Sequence, residues 1–158
     1  MNPSRLLPYA GVAAVAVALD QWIKALVERS LNIHEQVDIL PFFALFRTYN
    51  TGVAFSMFSW AGDKALVVLA AAVILFVLVL AWRSTSWVAL TGFALIVGGA
   101  IGNIIDRIAY GHVIDYFLFH TPVWSFAVFN LADAFITVGA GLVLVHELFG
   151  GRQDAKAE

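Results

Sequence analysis

Apolar residues run along this chain in four stretches, about 8–27, 65–82, 87–108 and 126–149, and the polar residues between them are unevenly shared. Each stretch is close to the roughly 20 residues that a helix needs to cross a bilayer. The pattern predicts a mainly α, polytopic membrane protein with four transmembrane helices. From 28 to 64 the character changes: charges appear, and no apolar piece is long enough to span. There Val37 and Ile39 alternate with polar neighbours, and Phe46-Arg47-Thr48-Tyr49 leads into Asn50-Thr51-Gly52, which predicts short strands in a small extramembrane layer. Arg83-Ser84-Thr85-Ser86 is a tight polar turn between Trp82 and Trp87, two interface anchors. Gly98 and Gly102 give the third span a small face for close packing. Residues 150–158 form a polar tail.

Four spans joined in this way put the end of the first, the start of the second, the end of the third and the start of the fourth on one side. Asp20, Lys24, Asn50, Asn103, Asp106, Arg107, Asp115, Asn130 and Asp133 therefore gather there, with Trp60 and Trp124 at the same interface. Ionisable groups at membrane depth are costly and usually face a protein interior or a wet cavity. Their sorting by side points to a site at one membrane face. Charge bias leaves the orientation open. Arg5, Arg83, Arg152 and Lys156 on the sparse side balance Arg29, Arg47, Lys64 and Arg107 on the other.

Composition narrows the function. The chain has 158 residues, one domain's worth, with 61% hydrophobic and 13% charged residues and a mean hydropathy of +0.86. A net charge of -2 offers no broad basic surface, so nucleic acid is not an expected partner. The absence of cysteine excludes disulfides, thiolate metal sites and a cysteine nucleophile. Ala16-Val17-Ala18 mimics a signal-peptide cleavage site, but the apolar run continues past it through Trp22, Ile23, Leu26 and Val27.

Two carboxylates in apolar and aromatic surroundings, Asp115 and Asp133, suggest acid–base chemistry. One continuous helix would hold them roughly 27 Å apart. Thr121-Pro122 breaks it, because proline disfavours helical geometry in the residue before it. The chain can reverse there and return Asp133 to Asp115. Two close carboxylates share a proton, so one can act as acid and the other as base. An interfacial aspartate plus a polar residue in a first helical turn is the plainer reading. Asp20 and Lys24, four apart, are spaced to pair. No metal or cofactor is expected. His146-Glu147 is followed by Gly150 where a second zinc histidine would stand, and His34, His112 and His120 have no ligand spacing. Ser56 lacks the setting of a nucleophile.

Several motifs then occur in a telling order: Asp20-Gln21, Asn50-Thr51-Gly52-Val53-Ala54-Phe55, Gly98-Gly99-Ala100-Ile101-Gly102-Asn103 with Ile105-Asp106-Arg107, Val113-Ile114-Asp115-Tyr116, and Asn130-Leu131-Ala132-Asp133. Together they resemble the bacterial lipoprotein signal peptidases, the signal peptidase II family, over nearly the whole chain. The resemblance implies an aspartic endopeptidase of the inner membrane that cuts prolipoproteins just before a cysteine carrying diacylglycerol. It implies Asp115 and Asp133 as the catalytic dyad. Asn50, Gly52, Asn103, Arg107 and Asn130 match residues that line the pocket or hold substrate, and Asp20, Lys24 and Asp106 match supporting ones. It further implies cytoplasmic termini, a site at the outer face, and a strand cradle with a short helix as the surface layer. The expected partners are a lipidated prolipoprotein and membrane lipid, and a monomer is expected. Phe43, Phe55 and Phe117 would wall the site and favour the shared-proton state by desolvation. The alternative is a small proton-coupled transporter using an intramembrane carboxylate, though such sites usually sit near the midplane between repeats.

Overall fold

The computed structural model describes residues 3–52 and 62–149. A short 3-10 turn, Pro3–Leu6, leads into helix α1, Leu7–Ser30. Strands β1, Gln36–Leu40, and β2, Phe43–Asn50, follow. Helices α2, Gly62–Arg83, and α3, Trp87–Tyr110, form the next hairpin. Strands β3, Val113–Thr121, and β4, Trp124–Ser125, precede helix α4, Leu131–Phe149. All four helices are long and apolar enough to cross a membrane. Even the shortest, α4, covers about 28 Å at 1.5 Å per residue. Val68, Leu75 and Phe76 on α2, and Trp22 on α1, point outward with more than half their surface uncovered. Such a face needs lipid around it. The short helix expected before α2, together with Phe55, Ser56, Trp60 and the polar tail, lies outside the described residues.

Helix α3 is the central element, with α1, α2 and α4 packed around it. Val77 and Ala81 of α2 bury against Leu90, Phe93 and Val97 of α3. On the α1 side, a side chain at Gly98 would come within 2.8 Å of Ala13 O and Ala16 Cβ. One turn on, Gly102 makes room for a carboxylate: a Cβ there would lie 2.5 Å from Asp20 Oδ2. That oxygen is pinned by an ion pair and cannot swing away. Gly102→Ala should therefore cost about 1–3 kcal/mol, the usual range for overpacking. A thermal melt in detergent would read this, and an unchanged melt would show that Asp20 has slack.

The strands form one antiparallel sheet in the order β1-β2-β3-β4. The first two arise where the alternation placed them. The second two were not expected, and they move the start of the fourth helix from 126 to 131. The reason is the backbone hydrogen bonding of 124–129, which goes to β3 instead of a helical turn. Phe126 N donates to Phe119 O at 2.8 Å, and Phe117 N and Phe129 O meet at 2.7 Å. The helix then starts on a reciprocal cap. Asn130 Oδ1 accepts from Asp133 N at 3.0 Å, and Asp133 Oδ2 accepts from Asn130 N at 3.3 Å. Thr121-Pro122 does reverse the chain, as the turn of a hairpin. Tyr116, fully buried against Val27 and Leu31, ties β3 to the end of α1.

Candidate active site

The site is built in two tiers where α1, α3, β3 and α4 converge. The lower tier is ionic. Lys24 Nζ lies 2.8 Å from Asp20 Oδ2 and 2.7 Å from Asp106 Oδ2, with all three side chains at most 2% exposed. Gln21 Nε2 donates to Asp106 Oδ1 at 2.8 Å and to Gly102 O at 3.2 Å. Asp20 Oδ1 accepts from Ala132 N at 3.0 Å, and Asp106 Oδ2 from Ile114 N at 3.3 Å. One cation thus holds two carboxylates, and those carboxylates hold the backbones of α4 and β3.

Asparagines connect this tier to the upper one. Asn103 Oδ1 accepts from Lys24 Nζ and from Asn130 Nδ2, both at 3.1 Å. With its oxygen so occupied, the amide must turn Nδ2 outward, and it donates to Asp133 Oδ1 at 2.8 Å. Asn130 Nδ2 also donates to Asp115 Oδ1 at 2.7 Å. The other oxygen of Asp115 accepts from Asn50 Nδ2 at 2.9 Å. Asn50 Oδ1 in turn accepts from Gly52 N at 2.8 Å, an Asx-type turn. Arg107 donates through Nη2 to Gly52 O and through Nη1 to Asn103 O at 3.4 Å, so it clamps that turn to α3.

All ten residues singled out from the sequence fall in this network. Asp106, matched by the resemblance to a supporting residue, is committed to Lys24. Asp133 both caps the first turn of α4 and lines the cavity, so the plainer reading of it and a place at the site are geometrically compatible. Asp115 is 1% exposed on β3. Its carboxyl is raised from 3.8 to about 7, first by burial and then by the charge of Asp133; the amides of Asn50 and Asn130 pull the other way.

Both aspartates face a cavity of about 920 Å³. Val113, Asp115 and Phe119, alternate residues of β3, line it from above, with Trp124, Phe126 and Phe129 beside them. Leu66, Leu69 and Val73 of α2 and Ile136 and Thr137 of α4 form its sides, so it reaches into the cleft between those helices. Phe43 and Phe117, expected as walls, instead pack on each other with ring centres 5.7 Å apart.

A family model described as "Signal peptidase (SPase) II" matches residues 12–149. The chain belongs to the signal peptidase II family. The lipoprotein signal peptidase of Mesorhizobium japonicum is 65% identical over 149 residues, covering 93% of this chain and 89% of that protein. The lipoprotein signal peptidase of Brucella ovis is 55% identical, covering 90% of this chain and 91% of its own. A solved bacterial membrane enzyme, determined by the in meso method at 2.3 Å, superposes with a TM-score of 0.78 at 26% identity, covering 89% of this chain and 87% of that one.

Two further residues of this candidate site in the signal peptidase II chain escaped the sequence reading. Gln21 sat inside the Asp20-Gln21 motif without a role, though its place one residue from a buried carboxylate was a signal. Tyr116 accepts from Leu131 N at 3.1 Å through its hydroxyl, steadying the first turn of α4 beside Asp133. Its position next to Asp115 was the signal there.

Proposed function

We propose that the protein is an aspartic endopeptidase that removes signal peptides from diacylglyceryl-modified prolipoproteins, with Asp115 and Asp133 as its catalytic pair. The observation that carries this reading is the holding of both carboxylates at one cavity by three asparagine amides. The relatives from Mesorhizobium and Brucella are named for the same activity.

In this reading Asp115 keeps the shared proton at rest. Asp133, half-exposed to the cavity, takes a proton from a water molecule as its oxygen attacks the scissile carbonyl carbon. Asp115 protonates the carbonyl oxygen, and collapse of the tetrahedral intermediate passes a proton to the leaving amine. Asn50, Asn103 and Asn130 orient the pair. Asp20, Lys24 and Asp106 fix those asparagines from below, while Arg107 and Gly52 hold the covering turn. The diacylglyceryl group enters sideways through the cleft between α2 and α4, and water arrives from the outer face of the inner membrane. The working unit is a monomer. The transporter alternative fits less well, because the charged groups lie at one end of the bundle. Incubating purified protein with a diacylglyceryl-modified and an unmodified precursor tests the proposal. Cleavage of the modified precursor alone is expected, and failure to cleave either would remove it.

The state of Asp115 fixes the pH behaviour. Activity should fall as pH rises through about 7, as Asp115 loses the proton it must donate. Stability follows the same proton. The folded carboxyl titrates above its ordinary 3.8, so between that value and about 7 the folded chain holds more protons than the unfolded one. Stability contributed by this group therefore declines across that window and levels off above it. Asn50→Gly keeps a residue suited to the turn but removes the donor to Asp115. It should lower kcat more than it raises KM and move the alkaline limb of the profile upward. An unmoved profile with normal kcat would leave Asn50 as turn chemistry only.

A further inference from the structure

Two turns meet at the end of the sheet farthest from Asp115. Leu40-Pro41-Phe42-Phe43 closes β1 on β2, and Thr121-Pro122-Val123-Trp124 closes β3 on β4. Each is a two-residue turn with proline first and an apolar residue second. They lie side by side, since His120 N donates to Phe42 O at 3.0 Å. Proline suits the first position of a turn, but Gly, Asn, Asp and Ser are the other usual turn residues, and the second position here holds Phe or Val instead. The two turns present Phe42 at 54%, Val123 at 95% and Trp124 at 57% exposure, with Leu40 adjoining. No charged residue occurs in 39–43 or 121–129. Asp38 and His120, whose side chains lie 3.4 Å apart, mark where the polar part of the sheet begins.

The patch also adjoins a membrane span. Trp124 and Phe126 share the cavity wall with Leu66 and Leu69, which belong to the first eight residues of α2. Those residues lie within about 12 Å of that helix's start. The β3–β4 pair thus borders the same cavity as the first three turns of a membrane span, near the depth at which aromatic side chains settle in the lipid interface. A bare apolar tip of this kind marks a surface that something covers. Here the four spans bring lipid to the same level.

We propose that the paired turns, Pro41-Phe42 and Pro122-Val123-Trp124, form a wedge inserted into the phospholipid leaflet on the aspartate side, at the mouth of the cleft between α2 and α4. The wedge fixes the tilt of the sheet at its free end, opposite the end tied to α1 and α3, and so holds β3 at a constant height over the cavity.

The chain has no cysteine, so single cysteines can carry a nitroxide label without background. Phe42→Cys, Val123→Cys and, as a control, Asp38→Cys would be labelled in the full-length protein and placed in phosphatidylcholine–phosphatidylglycerol vesicles. Power saturation then compares collisions with oxygen, which concentrates in lipid, and with a nickel chelate, which stays in water. Oxygen should dominate severalfold at 42 and 123, and the chelate should dominate at 38. Chelate-dominated collisions at 42 and 123 would overturn the wedge. Exclusion of both reagents there, with dipolar broadening between labels, would assign the patch to a second copy and equally overturn it. The readout does not use peptide cleavage, so it stands or falls apart from the catalytic assignment.

Discussion

Asp115→Asn and Asp133→Asn are each expected to lower kcat by about 10³-fold or more, within the range that acid–base groups supply when both are needed. The two variants should differ in stability. Asp115→Asn removes a carboxylate that burial and the charge of Asp133 both disfavour. It should melt no lower than the parent above about pH 7, despite the mismatch of its new amide with the donors of Asn50 or Asn130. Asp133→Asn turns an amide N–H₂ toward either Asn103 Nδ2 or Asn130 N, both of which are donors. It should melt lower. Asp106→Asn supplies the contrast, since it removes half of an ion pair outside the cavity and should cost stability more than turnover. Cleavage of a lipidated precursor and thermal melts in the same detergent separate these outcomes. Near-normal turnover by either dyad variant would end the assignment. So would an inactive but stable Asp106→Asn beside an active Asp115→Asn.

The four helices were legible because membrane spans write themselves as long apolar runs, and the site's residents were legible because polar residues are expensive in such runs. Strands β3 and β4 were hidden by the same logic. Val113 to Leu118 is buried or half-buried on both faces, so its pattern shows no alternation of apolar and polar residues, and it reads as one more apolar stretch. Phe126 to Phe129 merged with the span that follows because all four are apolar and run without a polar break up to Asn130. Asn130 and Asp133 carried a capping-box spacing that could have placed the helix start at 131. The pairing of Lys24 with Asp20 followed from four-residue spacing, but its pairing with Asp106 did not. That contact depends on how α1 crosses α3, which Gly98 and Gly102 set by close packing. Arg107, adjacent to Asp106 in sequence, leaves on another face of the helix to reach Gly52.

Lys24→Met should be the most destabilising single change in the lower tier. The methionine keeps most of the side chain's volume but leaves the Asp20 and Asp106 carboxylates buried without their cation. Breaking a buried pair in this way typically costs about 3–5 kcal/mol. The cost arises from the orphaned charges, so neutralising them should return much of it. A triple variant, Asp20→Asn, Lys24→Met and Asp106→Asn, should melt well above Lys24→Met alone. Activity should not recover in step. Without the ammonium, Asn103 Oδ1 keeps Asn130 as its one donor among the described residues, and the outward turn of its amide toward Asp133 is less firmly set. The triple variant should therefore fold yet show a reduced kcat with little change in KM. A melt of Lys24→Met equal to the parent would show that the cluster does not hold α1 to α3. Full kcat in a folded triple variant would show that Asn103 is oriented without Lys24.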